Sequence, residues 1–316
     1  MNQKREMRKN KKMDENTKSL PSTNINWYPG HMAKTKREIS EIINLIDVVI
    51  EILDARIPKA SHNPDMEKLI ENKKRLIALN KIDLADEKET AKWVKLLKNK
   101  GFAVVEVDAN SGKGINNVIK EIETLMAEEK KKNDEKGRVG KSIRVLVMGI
   151  PNVGKSSFIN RISKKNTMEV GNKPGVTKNK QWIRLSNNIE LLDTPGILWP
   201  KFQNQDIALN LSFTGTIKDD ILPKTEISYN LVKLLIKYYK NNLLKRYKLQ
   251  ENELEEILNN ENMEENEKIY DVMCLIARKR GCIHSGGRVD DEKVSNIILD
   301  DFRNCKFGKI TLEKGE

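Results

Sequence analysis

Cysteine is scarce in this chain: 316 residues contain three, Cys274, Cys282 and Cys305. An odd number at a spacing that matches no zinc pattern speaks against a disulfide framework, and the thiols read as reduced side chains of a cytoplasmic protein. Long apolar runs are missing too. A membrane span needs about 18 consecutive apolar residues, and nothing approaches that, so no membrane partner is expected. Met1 to Lys18 is basic but has no apolar segment, which argues against a secretory signal and for a disordered basic tail. No internal repeat is visible. Apolar residues make up only 38% of the chain, yet they are clustered, and a chain this long can still build an ordinary core.

Charge, by contrast, is plentiful. Lys and Arg number 58 against 46 Asp and Glu, a formal net charge of +12. A surplus of that size suits a polyanion such as nucleic acid, the ribosome or an anionic membrane, although Lys-rich codon usage gives the same balance.

The length suggests two domains. Asp47 to Leu53, Lys74 to Leu79 and Ala103 to Val107 read as short buried strands. Helical patterns at Asp65 to Asn72, Lys88 to Lys98 and Ile115 to Glu128 alternate with them, which predicts a mostly parallel sheet with helices on both faces. Glu128 to Gly140 lacks apolar periodicity and reads as a flexible linker. Ser142 to Met148 is a further strand, with a helix starting near Lys155. Gln181 to Leu185 and Ile189 to Leu192 form a strand pair joined at Asn187-Asn188. Beyond about Lys218 the strand signal fades. Ile221 to Leu249 and Glu251 to Arg280 read as helix, broken at Pro223. The expected boundaries are a tail over 1–22, an α/β domain over 23–215 and a smaller all-α domain over 216–316.

Gly149-Ile150-Pro151-Asn152-Val153-Gly154-Lys155-Ser156 matches the phosphate-binding loop G-x-x-x-x-G-K-[ST] between a strand and a helix. Its glycines let the backbone wrap phosphates, and the N–H groups from Asn152 to Ser157 at the helix start favour an anion. Lys155 would reach the β- and γ-phosphates, and Ser156 would ligate Mg²⁺. Asp193-Thr194-Pro195-Gly196 lies about 40 residues further on, at a strand end. There a carboxylate can hold Mg²⁺ through water, and the Gly196 N–H can sense the γ-phosphate. Thr177, between the two, stands where a mobile loop supplies a threonine to Mg²⁺.

Asn80-Lys81-Ile82-Asp83 ends another strand. The Asp83 carboxylate can accept from guanine N1–H and the 2-amino group, a donor pair that adenine lacks; a helix N-cap is the alternative role. Ser111-Gly112-Lys113 would back up the base site, or is an ordinary turn.

These motifs come in an unusual order, the base-specifying N-K-x-D before the phosphate loop. One fold keeps both if its original termini are joined and new ones opened, here through Glu128 to Gly140.

Order and motifs together resemble the circularly permuted GTPases of bacterial large-subunit assembly. The resemblance covers nearly the whole chain after the tail, which is an addition to the family pattern. It includes Trp27-Tyr28-Pro29-Gly30-His31-Met32-Ala33-Lys34, Asp54-Ala55-Arg56, the phosphate loop and the stretch from Arg278 to Arg288. It implies a circularly permuted P-loop GTPase domain followed by an all-helical RNA-binding domain. It also implies hydrolysis of GTP to GDP, binding to 23S rRNA in the 50S subunit or its precursor late in maturation, and release after hydrolysis. A monomer is expected. A GTP-gated RNA-binding module with little stimulated turnover, or a GTPase acting on small-subunit or transfer RNA, stays open as an alternative.

Ile197 follows Gly196, where many GTPases carry a water-positioning glutamine, and an aliphatic chain cannot orient water. The resemblance points to His31 as the replacement, in a catalytic set with Lys155 and Thr177; a loop-anchoring or RNA-contacting role for His31 is the other reading. It likewise implies that Asn152 ligates K⁺ beside the phosphates, where it otherwise only shapes the loop. Arg278, Lys279, Arg280 and Arg288 would contact RNA phosphates, or form a solvated face with the nearby aspartates. His62 and His284 read as surface or packing residues and Trp93 as packing on a helix face. Asp54 and Arg56 are either part of the nucleotide edge or a structural ion pair.

Overall fold

Runs rich in Val, Ile and Leu that are buried on both faces form parallel strands, because only crossover helices on either side can cover them. Val48–Asp54 (β1) is buried along its whole length. Lys74–Asn80 (β2), Ala103–Glu106 (β3), Ile143–Met148 (β4) and Ile189–Asp193 (β7) lie parallel to it in one seven-stranded sheet of order β3-β2-β1-β4-β7-β6-β5. Trp182–Leu185 (β6) is antiparallel to β7, and the short Thr167–Glu169 (β5), which the pattern did not announce, is antiparallel to β6.

The structure is a computed structural model that describes residues 31–138, 140–169, 182–185, 188–194, 204–217, 219 and 223–315, with the backbone alone at 31–36 and 165–169. The basic tail, Trp27 to Gly30, Thr177, Gly196 and Ile197 lie outside the described residues.

Crossover helices are Pro64–Ile70 (α2), Glu87–Asn99 (α3), Ile115–Glu135 (α4) and Lys155–Asn166 (α5); His31–Ile42 (α1) precedes β1. α4 runs on through most of the segment read as a linker, which corrects that reading. Met126 is still buried on it, and the Glu- and Lys-rich sequence beyond favours helix even without an apolar stripe.

β1, β2 and β3 extend to one side of the sheet, while β4, β7 and β6 extend to the other. Strand order therefore reverses between β1 and β4, which opens a crevice at their carboxyl ends, where ligands bind in such sheets. Register brings the chemistry to that edge: Asp54 pairs with Asn80, and Asp193 with Val147.

Among the described residues, five helices follow the sheet: Gln205–Phe213 (α6), Lys224–Tyr247 (α7), Glu251–Leu258 (α8), Glu265–Arg280 (α9) and Asp291–Arg303 (α10). α7 begins directly after Pro223 and is kinked at Tyr239, whose φ of −140° and ψ of 36° are not helical. α6 packs on α7 and α10, so the helical layer begins at Gln205, ahead of the expected position 216. No described helix is long and apolar enough to cross a membrane.

Candidate nucleotide site

The phosphate loop leaves β4 at Met148 and ends in α5 at Lys155. Asn152 and Gly154 adopt left-handed backbone, φ 62° and 90°. A Cβ on Gly154 would stand 2.3 Å from Asn80 Nδ2, so only glycine fits there. Ser156 and Ser157, in the first turn of α5, are exposed. Lys155 Nζ donates to Asp193 Oδ1 at 2.7 Å, which brings the expected phosphate-binding ammonium and the expected magnesium-binding carboxylate face to face. The Thr194 hydroxyl donates to the Val147 carbonyl at 2.9 Å, fixing the end of β7 to β4.

Asn80, 2% exposed, ties three loops together. Its Nδ2 donates to the Val153 carbonyl at 2.8 Å, and its Oδ1 accepts from the Ala109 N–H at 3.0 Å. Lys81 donates to the Asn152 carbonyl at 2.5 Å and to Asp54 Oδ2 at 2.9 Å. The expected base-site groups therefore converge on the expected phosphate loop. Asp83 Oδ1 is buried with no hydrogen-bond partner. Burial, and then Asp108 nearby, push its carboxyl above the ordinary range. A buried acceptor without a donor is costly, and guanine would supply two donors.

The loop after β3 differs in detail from the expectation. Ala109, two residues before Ser111, is the one whose main chain meets Asn80. Ser111 Oγ accepts from the Lys113 N–H at 3.3 Å and so serves its own turn. Asp108 organises that turn, accepting from the N–H groups of Asn110 at 2.9 Å and Ser111 at 3.2 Å. The signal was present as an Asp placed before N-S-G, a side chain that mimics a backbone turn. Gly112 lies in the same turn at φ 87°, against the Arg161 stem.

Asp54 and Arg56 form a buried ion pair at the mouth of the site. Arg56 Nη2 donates to Asp54 Oδ2 at 2.8 Å, while its Nε and backbone N–H both donate to Oδ1 at 3.0 Å. Burial alone would raise the Asp54 carboxyl, but Arg56 and Lys81 overcome it and hold the group far below the carboxylate range. The structure thus shows the structural ion pair, and Lys81 connects it to the carbonyl of Asn152 in the expected phosphate loop.

Other candidates fall elsewhere. His62 Nδ1 lies 2.7 Å from Glu51 Oε1, beside Arg75; burial lowers and Glu51 more than restores its imidazole value. The Trp93 indole donates to the Glu313 carbonyl at 3.0 Å. His31 opens α1, its side chain outside the described residues. Arg278, Lys279 and Arg280 are exposed in the last turn of α9, and Arg288 is exposed on the turn that follows; Lys279 also approaches Glu253 at 3.3 Å. One contact had no sequence signal at all: Asn152 Nδ2 donates to the Gly215 carbonyl at 2.5 Å, linking the phosphate loop to the turn after α6.

A mostly parallel sheet with a phosphate loop at its switch point, N-K-x-D two strands away at the end of β2 and Asp193 at the end of β7 on the other side defines a P-loop GTPase whose chain order is permuted. Comparison with known proteins agrees. The 50S ribosome-binding GTPase family matches residues 144–277, and the RsgA GTPase family residues 66–203. Ribosome biogenesis GTPase A of Bacillus cereus is 41% identical over 292 residues, 92% of this chain and 94% of that one. The Thermotoga maritima protein of the same name is 30% identical over 92% of this chain and 95% of its own. A GDP-bound structure of YlqF superposes with a TM-score of 0.62 at 25% identity, covering 88% of this chain and 99% of that one. GNP-bound YlqF from T. maritima gives 0.59 at 26% identity, over 90% and 99%. The chain belongs to the ribosome biogenesis GTPase A family, and it hydrolyses GTP.

Proposed function

We propose that this GTPase is a nucleotide-dependent assembly factor that binds the precursor of the 50S subunit, acts late in its maturation, and leaves after hydrolysis. The observation that carries the reading is the length of the match: relatives named for ribosome biogenesis align over 92% of the chain, through both the sheet and the helical layer. The exposed Arg278, Lys279, Arg280 and Arg288 provide a basic edge for rRNA phosphates, 23S rRNA being the expected partner. A cytoplasmic monomer suits this role.

At the site, Asp83 selects guanine, Asn80 holds the base loop to the phosphate loop, and Lys155 with the N–H groups of Val153 to Ser157 neutralises the phosphates. The Ser156 hydroxyl and Asp193 carboxylate are hard oxygen donors, as Mg²⁺ requires, and Thr177 would complete the set. Bound there, Mg²⁺ would supply positive charge that offsets the charge of the phosphates. Asn152 is proposed to hold K⁺ beside them. His31 is proposed to orient the attacking water, as Ile197 cannot.

The test is GTP turnover with and without purified 50S subunits, in K⁺ and in Na⁺, with 30S subunits as control. Stimulation by 50S alone, lost in His31→Ala with GTP binding intact, is expected. Stimulation by 30S, or none, would overturn the large-subunit reading, and equal rates in Na⁺ and K⁺ would remove the K⁺ site.

A further inference from the structure

The chain returns to the sheet after the helical layer. Residues 309–315 lie across the strand ends, and their bonds fall on the loop that carries Asp83 and on the segment that follows β1. The Ile310 N–H donates to the Leu84 carbonyl at 3.0 Å. Thr311 is fully buried; its Oγ1 accepts from the Asp86 N–H at 3.1 Å and donates to the Ala55 carbonyl at 3.4 Å. The Leu312 N–H donates to the Arg56 carbonyl at 2.8 Å, and Lys309 Nζ reaches Glu87 Oε1 at 2.5 Å. Lys309 and Asp83 line one cavity, together with Asp108 and Lys113.

The far side of this strap is held by the helical layer. Tyr239, the kink residue of α7, accepts from the Thr311 N–H at 3.1 Å and donates to the Thr311 carbonyl at 2.9 Å. One hydroxyl thus fixes both main-chain groups of the residue whose side chain grips Asp86. On its sheet side, the same loop is held by the Ile82 N–H on the Val107 carbonyl at 3.4 Å and by Asn80. Asp83 stands between the two anchors.

We infer that Thr311 is a positioning residue for guanine specificity: the strap over 309–315, set by Tyr239, fixes the far side of the Leu84–Asp86 turn and thereby where the Asp83 carboxylate stands. Hydrogen bonds to a carboxylate weaken steeply once distance and angle leave their narrow range. A loosened turn therefore loses the bond to the guanine 2-amino group while contacts to ribose and phosphates survive. Inosine diphosphate lacks that amino group and is the probe that separates the two effects. The inference rests on reading Asp83 as the base-specifying carboxylate.

GDP and inosine diphosphate binding are titrated calorimetrically against the full chain, Thr311→Val, Thr311→Ser and Tyr239→Phe, with thermal melts on each. Thr311→Val leaves the Asp86 N–H and Ala55 carbonyl without a partner, and is expected to weaken GDP about tenfold but inosine diphosphate about threefold or less. Thr311→Ser, which keeps the hydroxyl, restores the wild-type ratio, and Tyr239→Phe shifts it in the same direction as valine. Equal loss for both nucleotides, or an unchanged ratio in both Thr311→Val and Tyr239→Phe, would overturn the strap's role while Asp83 keeps its own. A wild-type protein that binds the two nucleotides equally would overturn the Asp83 reading and the inference with it.

Discussion

Asp54→Asn removes one charge and keeps the shape of the side chain, so its cost is electrostatic. Asp54 and Arg56 are 1% and 3% exposed. Asparagine retains one oxygen, enough for the Arg56 N–H and Nε. At the position of Oδ2, however, it places an amide NH₂ against Arg56 Nη2 and Lys81 Nζ, donor against donors, where carboxylate bonds of 2.8 and 2.9 Å stood. Breaking a buried pair by removing one partner costs about 3–5 kcal/mol. For a domain of this size each kcal/mol moves Tm by about 2–4 °C, so a fall of about 10 °C is expected by calorimetry at pH 7. The pH dependence has a definite sign. The Asp54 carboxyl is depressed in the fold, so its contribution is present above the ordinary value near 3.8 and lost as pH falls through the folded value. The wild-type advantage is therefore flat from pH 6 to 8 and shrinks only in strong acid. A loss below about 1 kcal/mol at pH 7, or an advantage that grows on acidification, would refute the reasoning.

Gly114, at φ 83°, has room for no side chain: a Cβ would lie 2.0 Å from the Glu106 carbonyl oxygen. Gly114→Ala should lose at least about 2 kcal/mol in denaturant titration, and an unchanged midpoint would show that the turn relaxes freely. Glu313 accepts from the N–H groups of Lys59 at 2.6 Å and Ala60 at 2.9 Å and from the Asn210 amide at 3.1 Å, yet burial outweighs these donors and pushes its carboxyl up from 4.5 to about 7. The folded state then keeps a proton that the unfolded chain has released, so this contribution is full below pH 4.5 and lost as pH rises through about 7. Melting temperature should fall more steeply between pH 5.5 and 7.5 in the wild type than in Glu313→Gln; parallel curves would contradict this.

Much of the candidate site's placement was legible in the chain because the motifs that mark it are geometric necessities. A backbone that wraps phosphate needs Gly154 with no Cβ, and a strand end that presents a carboxylate needs an apolar run before it, as Ile189–Asp193 shows. The strands were legible for the same reason, since a doubly covered sheet leaves continuous apolar runs. What escaped was set by contacts at long separation. Lys59 and Glu313 are 254 residues apart, Asn152 and Gly215 are 63, and neither pair carries a local pattern. Ala109 escaped because its main chain does the work, and no side chain marks it. The extension of α4 escaped because the apolar stripe that marks a helix ends at Met126, whereas its last two turns rest on helix propensity and on charged contacts such as Lys74 with Glu129.

The permuted order has a consequence for how the helical layer is attached. β7 ends at Asp193, which faces Lys155 of the expected phosphate loop, and the next described helix is α6. Among the contacts that return from there to the sheet, Gly215 reaches Asn152 at the expected phosphate loop and Thr311 reaches Asp86 at the expected base loop. Arg303 of α10 stiffens the first, donating to the Phe213 carbonyl at 3.0 Å and the Ser212 carbonyl at 2.9 Å, and pairing with Asp219 at 2.7 Å. A ligand that moves either loop must therefore move or break a bond to the helices, and a surface that grips the helices biases the loops by the same free energy, since such coupling is reciprocal. Two neutral hydrogen bonds of about 0.5–1.5 kcal/mol each correspond to roughly a fivefold to 160-fold change in affinity between the two ends, to which the strap's bonds to Leu84, Arg56 and Glu87 add.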